Sequence, residues 1–358
     1  MPMRLTRGWI EVDLDALVRN ARAMQARATA ILPMVKADAY GTGAVPVARV
    51  LERLAPWGYG VATIDEGVEL RDAGISRPIV LFTSVEAEEL SAVRDARLTP
   101  ALASAADISS WNKIGGGAWH LAIDTGMSRA GVRWDGVRDL SALVLAHPPE
   151  GAFTHFHSAS LDDGSRLEQE ERFERALAAL PAHPPLIHVE NSAALARRDR
   201  SRWGLGRPGI FLYGVGSGAG AVARPEPVVA MRARIVEMRT LLAGETVSYD
   251  ATFVAQRETR IATLPIGYAD GYRRSLGNHA YALVAGHRSP VVGVVTMDMT
   301  MLDVTGMNVS LGDVVTLTGR DGDELLDVAT LAELAGASPY EMLTGFHARL
   351  ARHYSGGE

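Results

Sequence analysis

Between Trp9 and about Val215 short apolar runs alternate with amphipathic stretches, and no other feature constrains the fold as tightly. Residues 31–35, 58–62, 78–82, 119–123, 152–156 and 186–189 are the apolar runs, and they predict buried strands. Between them residues 14–27, 44–54, 64–73, 85–96, 134–146, 167–180 and 192–198 carry helical spacing. Successive strands lie mostly ~20–35 residues apart, the spacing that βα units require. About seven or eight such units fit, which predicts a parallel (β/α)8, TIM-like barrel rather than an open sheet. The pattern changes at residues 216–221, a Gly/Ala stretch followed by Pro225 and Pro227. Beyond it come short β-rich runs at 230–238, 260–264, 281–284, 291–295 and 314–317, with one helix near 327–334. The expected organisation is therefore a barrel over 9–225 and a mostly-β C-terminal domain over 226–358, with residues 1–8 packing with the latter.

Composition removes several functions. Lys and Arg number 36 against 42 Asp and Glu, a net charge of −6, which gives no support to a phosphate-backbone or anionic-membrane binder. The absence of cysteine excludes disulfides, thiolate metal sites and cysteine nucleophiles. The ten histidines show no H-x-x-x-H or H-E-x-x-H spacing, so no metal site is expected. Gly115–Gly117 and Gly216-x-Gly218 lack the strand-to-helix dinucleotide fingerprint and read as turns. The basic N-terminus runs into charged residues without the ~7–15 apolar residues of a secretory signal, and no window reaches the ~18 of a membrane span. A cytoplasmic protein is expected.

In a parallel barrel the strand C-termini and the loops after them form the active face. The first predicted strand ends in MVKADAYGTG, residues 34–43. A lysine directly after a buried run is desolvated, which lowers its pKa and makes Lys36 a usable amine nucleophile. Snorkelling at a strand end is the alternative. Tyr40 and the two following glycines favour a ligand site, because glycine lets backbone approach a ligand closely.

This stretch resembles the cofactor motif of alanine racemases, fold-type III pyridoxal-phosphate enzymes, usually V-K-A-N-A-Y-G-H-G; Asp38 and Thr42 replace its Asn and His. The resemblance continues in order through WIEVDLDA (9–16), DTGMSRAG (124–131), THF (154–156), HVENS (188–192), RPGIFLYG (207–214), VSYDAT (247–252), LPIGYADGY (264–272) and TMD (296–298). It implies a barrel followed by a β domain, in a homodimer whose active sites are shared between subunits. Lys36 would hold pyridoxal 5'-phosphate covalently and serve as the base on one face of the amino acid α-carbon. Tyr249 of the other subunit would be the base on the opposite face. Inverting a stereocentre by proton removal and return needs one group on each side. His155 and Arg207 correspond to the family's relay from that tyrosine to the pyridine nitrogen. A guanidinium keeps its proton, so it leaves that nitrogen unprotonated and limits delocalisation of the carbanion.

The resemblance further implies phosphate contacts from Tyr40, Asn191, Ser192, Gly209 and Ile210; Asn191 and Ser192 also suit a helix N-cap. Arg129, Tyr268 and Met297 correspond to residues at the substrate carboxylate and entrance, with plain packing the alternative for Met297. Two departures stand out. Ala122 occupies the place of a lysine, often carbamylated, that holds the carboxylate-binding arginine. Ala348 aligns with a pocket tyrosine, which implies racemase chemistry with a roomier or altered pocket. His157 replaces a small residue, either as a polar group near the site or as a strand-end histidine. A cofactor-binding protein without racemase activity is the competing reading, whereas barrel-type decarboxylases use a cysteine this chain lacks.

Overall fold

The computed structural model describes residues 7–357. Eight short strands make the barrel: Ala30–Ile31, Tyr59–Val61, Ile79–Leu81, Thr99–Leu102, His120–Asp124, Gly151–Phe153, Leu186–His188 and Leu205–Gly206. The six from Tyr59–Val61 to Leu186–His188 form one continuous parallel path. Parallel bridges at Met34–Gly60 and Asn191–Arg207, with the Ala30–Ile31/Leu205–Gly206 ladder, close it. The first strand effectively continues to Val35, whose N–H donates to the Gly60 carbonyl at 2.9 Å.

Two of the eight strands were not among the sequence expectations. Thr99–Leu102 contains Pro100, and Leu205–Gly206 is only two residues ending in glycine, so neither carries an apolar run. The helix Ala105–Lys113, capped by Ser104, was likewise unforeseen because only Ile108 and Trp111 turn inward. Elsewhere caps and apolar faces agree with the spacing. Leu14–Gln25 starts on Asp13, whose Oδ1 accepts the Ala16 N–H at 2.8 Å, and it buries Leu14, Leu17, Val18, Ala21 and Met24. Ile64–Asp72 starts on a reciprocal Thr63–Glu66 box.

The second sheet has the order His287–Pro290, Tyr281–Val284, Val314–Asp321, Val229–Arg234, Gly8–Asp13, Ala351–Ser355. Both ends of the described chain thus enter it. Residues 9–13, read from sequence as the start of the barrel, pair here with Val229–Arg234 and Ala351–Ser355. A smaller antiparallel sheet joins Glu237–Leu241, Thr259–Leu264 and Thr300–Asp303, and a hairpin pairs Thr246–Val247 with Phe253–Val254. The run at 291–295 is not a strand: it makes one bridge, Val291–Leu302, and turns at Gly293, whose φ is +73°. Among the described residues no helix is long and apolar enough to cross a membrane.

The junction between sheet and barrel is concentrated on Ala351–Ser355. Arg352 donates to the carbonyls of Gly41 at 3.0 Å, Phe346 at 3.0 Å and Leu350 at 3.1 Å, and lies 3.9 Å from Asp38. Tyr354 donates its hydroxyl to the Thr42 carbonyl at 3.0 Å. Replacing Arg352 by alanine strands several carbonyls at once. The expected loss is roughly 2–4 kcal/mol, read as a lower urea midpoint, and lysine should not restore it because an ammonium lacks the planar fork.

Candidate active site

The C-terminal ends of the barrel strands surround a cavity of about 420 Å³ lined by Lys36, Tyr40, Arg129, His155, Asn191, Ser192, Arg207, Gly209 and Ile210 among others. Nine of the expected site residues are therefore brought together. Tyr249, Tyr268 and Met297 are not among its lining residues; they are 69%, 41% and 53% exposed on the β-rich part. The Tyr268 N–H donates to the Thr296 carbonyl at 3.0 Å, which sets Tyr268 and the Met297 loop side by side. Tyr249 sits at the tip of the Thr246–Val247/Phe253–Val254 hairpin, fixed where Ser248 donates to the Val294 carbonyl.

Lys36 opens a single left-handed turn: Ala37, Asp38, Ala39 and Tyr40 have φ between 51° and 56°. Left-handed geometry costs an L-residue roughly 1–2 kcal/mol, so four in a row need outside support. Glu66 supplies some of it, accepting from the Ala37 N–H through Oε1 and from the Ala62 N–H through Oε2, each at 2.7 Å. Asp38 accepts the Ala44 N–H at 2.8 Å, and Arg352 and Tyr354 hold the carbonyls at the far end. A methyl on Gly41 would press into the Leu343 carbonyl. The half-buried Lys36 amine is held below the usual lysine range, first by burial and then by the Arg129 and Arg207 charges, with Glu66 opposing.

Arg207 is 4% exposed. One nitrogen lies 3.0 Å from His188 Nδ1 and also donates to the His188 carbonyl; the other donates to the Thr154 carbonyl at 2.7 Å and reaches His155 Nδ1 at 3.3 Å. Burial pushes its pKa down to about 9, which still leaves the guanidinium charged at neutral pH. The rings of Phe82 and Phe153 lie 5.7 and 5.4 Å from it. His155 is driven to about 3 by burial and by the Arg207, Arg129 and Lys36 charges, so it is a neutral acceptor.

At the opposite wall Asn191 caps Ser192–Ala196, accepting the Ala194 N–H at 3.1 Å. Ser192 and Ile210 each open a short helical turn, whose first amides have no partner within the turn. The Gly209 N–H, expected as a phosphate donor, donates instead to Ser192 Oγ at 2.8 Å. Gly209 matters for what it lacks: a Cβ there would stand 2.5 Å from the Tyr40 hydroxyl. Tyr40 stacks on Tyr213 with ring centroids 4.7 Å apart, and burial raises its pKa, so it remains a hydroxyl donor.

Ala348 is exposed and absent from the cavity lining, whereas Tyr340 lines it, 6.0 Å from the Tyr40 ring. Tyr340 rides on Pro339–Thr344, a helix started by a Ser338–Glu341 capping box. Tyr340, eight positions earlier, thus places a phenol on this wall, although its side chain is half exposed. Ala122 is buried with Ala101 and Phe153, and Phe82 and Ala103 pack against them, so the expected lysine is replaced by an apolar wall. His157 is exposed; its Nδ1 lies 2.7 Å from Ser158 Oγ, and its backbone N–H donates to Gln169 Oε1 at 3.1 Å.

Comparison with known proteins agrees with this geometry. Residues 12–217 match the family described as alanine racemase, N-terminal domain, and residues 228–354 its C-terminal domain. The chain is 40% identical to an alanine racemase of Symbiobacterium thermophilum, over 97% of each chain. It is 37% identical to one of Sorangium cellulosum, over 98% of this chain and 99% of that one. The solved alanine racemase of E. faecalis superposes with a TM-score of 0.91 at 30% identity, covering 99% of both chains. That of Bartonella henselae, with covalently bound pyridoxal phosphate, gives 0.90 at 28%, covering 98% of this chain and all of the other. With the barrel, the β-rich partner and the lysine–arginine cavity all in place, the chain belongs to the alanine racemase family.

Proposed function

We propose that this protein is a pyridoxal-phosphate-dependent racemase that interconverts L- and D-alanine in the cytoplasm, working as a homodimer with active sites shared between subunits. The observation that carries the reading is one cavity holding a desolvated lysine, a buried arginine paired to a neutral histidine, and a set of hydroxyl and amide donors. That donor set fits the cofactor. The amine of Lys36 would hold its aldehyde carbon, Arg207 would face its ring nitrogen, and Tyr40, Ser192 and Ile210 would receive its phosphate, with Asn191 and Gly209 shaping that end. Bound there, pyridoxal phosphate supplies an electron sink that acidifies the substrate α-carbon.

The chain's own groups do the remaining work. Lys36, its pKa lowered, moves a proton on one face of that carbon. Arg207 remains charged as a pure donor, so it cannot hand a proton to the ring nitrogen at neutral pH. Arg129 meets the substrate carboxylate. Tyr340 lines the wall beside Tyr40. The base for the opposite face is read as coming from elsewhere: among the described residues the phenols that line the cavity with Lys36 are Tyr40 and Tyr340, and burial raises both. Tyr249 at an exposed hairpin tip, with Tyr268 and Met297 also exposed, is suited to reach the cavity of a second copy. A broader amino acid range is the second reading, favoured by the apolar wall at Ala122.

Optical rotation and α-proton exchange in heavy water across L-amino acids decide between these readings. Alanine should turn over fastest, and equal rates for larger side chains would favour the second. Lys36→Ala and Tyr249→Phe should each lower kcat by about 10²–10⁴-fold. Co-expressing the two variants should restore activity, since every mixed dimer then holds one intact pair of bases. No recovery in mixed dimers would refute the shared site.

The histidine electrostatics set a pH dependence. A neutral buried His155, at about 3 when folded against ~6.5 when unfolded, binds its proton first in the unfolded chain. Stability therefore rises with pH between about 3 and 6.5 and is full above that, with this group alone costing about 2 kcal/mol at pH 5. Urea midpoints at pH 7.5 and 5.0 should differ accordingly, and His155→Gln should flatten the difference.

A further inference from the structure

Barrel interiors of this kind are ordinarily filled by layers of branched apolar side chains. Here the interior also carries His120 and His188, both 0% exposed, beneath Arg207. His120 is the first residue of its strand and His188 the last of its own, so the two rings span the barrel from base to mouth. His120 Nδ1 lies 2.8 Å from His188 Nε2, and His188 Nδ1 lies 3.0 Å from an Arg207 nitrogen. At the base His120 Nε2 is buried without a hydrogen-bond partner of good geometry, and the nearest carboxylate, Glu150 Oε2, lies 3.4 Å away. Gly151, opposite His120 in the ladder, leaves room for the ring: a Cβ there would stand 3.0 Å from it.

The chemistry of the two ends gives this row a direction. A guanidinium only donates and a carboxylate only accepts. Arg207 must donate to His188 Nδ1, which leaves the His188 proton on Nε2. That proton points at His120 Nδ1, so the His120 proton also sits on Nε2, toward Glu150. Each imidazole is then neutral with one donor and one acceptor used, and no alternative assignment avoids two donors meeting. Burial, the leading cause, keeps both rings below the ordinary histidine range, in agreement with neutrality. Trp57, 5.6 Å from the His120 ring, and Phe153, stacked on His188 at 4.9 Å, hold the ring planes.

We propose that Glu150, His120 and His188 are positioning residues: a one-way hydrogen-bonded row through the barrel core that orients Arg207 from behind and leaves the rest of its fork for His155 and the cavity. The consequence for catalysis rests on the reading of Arg207 given above; the proton assignments do not. Nitrogen NMR of ¹⁵N-histidine holoenzyme at neutral pH should show both rings neutral with the proton on Nε2. In His120→Phe, His188 loses its acceptor. With Arg207 still donating to Nδ1, the His188 proton stays on Nε2 unpaired, which should shift that nitrogen's signal, loosen the ring behind Arg207 and lower kcat about tenfold with KM within twofold. His120→Asn, whose amide offers both an acceptor and a donor, should recover most of that loss. Glu150→Ala, at the half-exposed base of the barrel, should leave the His120 proton on Nε2 without its carboxylate, shift that nitrogen's signal and lower kcat about threefold. A wild-type His188 carrying its proton on Nδ1 would overturn the proposal, as would a Glu150→Ala protein with unchanged spectra and kcat. Correct tautomers in a protein that turns over no amino acid would instead leave the row standing and remove the racemase reading.

Discussion

A positive charge buried at the mouth of the barrel organises the rest of this site. Arg207 is sequestered from water, and a lone buried cation costs several kcal/mol unless hydrogen bonds and opposite charge surround it. The structure answers with backbone carbonyls from Thr154 and His188, two imidazole nitrogens and the faces of two phenylalanines. Glu190, itself fully buried, adds its field; its side chain lies 3.3 Å from Arg198. The same charge then acts outward. It helps to depress His155 and, more weakly, Lys36, so one guanidinium biases two groups the chemistry depends on.

The second constraint is a strained turn. Four residues without glycine hold left-handed geometry immediately after Lys36, and propensity alone would not put them there. What holds them comes from three directions: Glu66 from the next βα unit, Asp38 from within, and Arg352 with Tyr354 from the last strand of the other sheet. Glu66 serves twice, since the same carboxylate completes the capping box of Ile64–Asp72. The turn that presents the Lys36 amine is thus held by distant parts of the chain, and the two structural halves meet at this point.

This division decides what could be read from sequence. Periodicity found most barrel strands because a buried parallel strand is a run of apolar residues, and it failed at Thr99–Leu102 and Leu205–Gly206, where proline and glycine interrupt the run. Lys36, Tyr40, His155 and Arg207 were legible because the residues around them carry an ordered series of motifs. The left-handed turn was not, since Ala37, Ala39 and Tyr40 have no such preference and only tertiary partners impose it. Tyr340 was not singled out from sequence, although the S-P-Y-E cap at Ser338 marks the helix that brings it to the cavity wall. His120 and His188 gave no signal either, because a histidine within an apolar run looks the same whether it packs or points.

The distribution of exposed and buried groups then bears on assembly. Everything that needs desolvation, namely Lys36, Tyr40 and Arg207, is supplied by the barrel and sealed within one chain. Tyr249, which the family resemblance assigns to the opposite face, and Tyr268 and Met297, which it assigns to the substrate entrance, stand on loops that hydrogen bonds at Ser248 and Tyr268 fix in shape while leaving the side chains exposed. Ordering a loop beforehand and leaving its apolar tips uncovered is the arrangement expected of a surface that completes a site elsewhere, because little conformational entropy remains to be lost on docking. A phenol placed that way becomes desolvated only when it enters another cavity. On the proposed reading the barrel would hold the cofactor in a single chain, and the second base would come with the second copy.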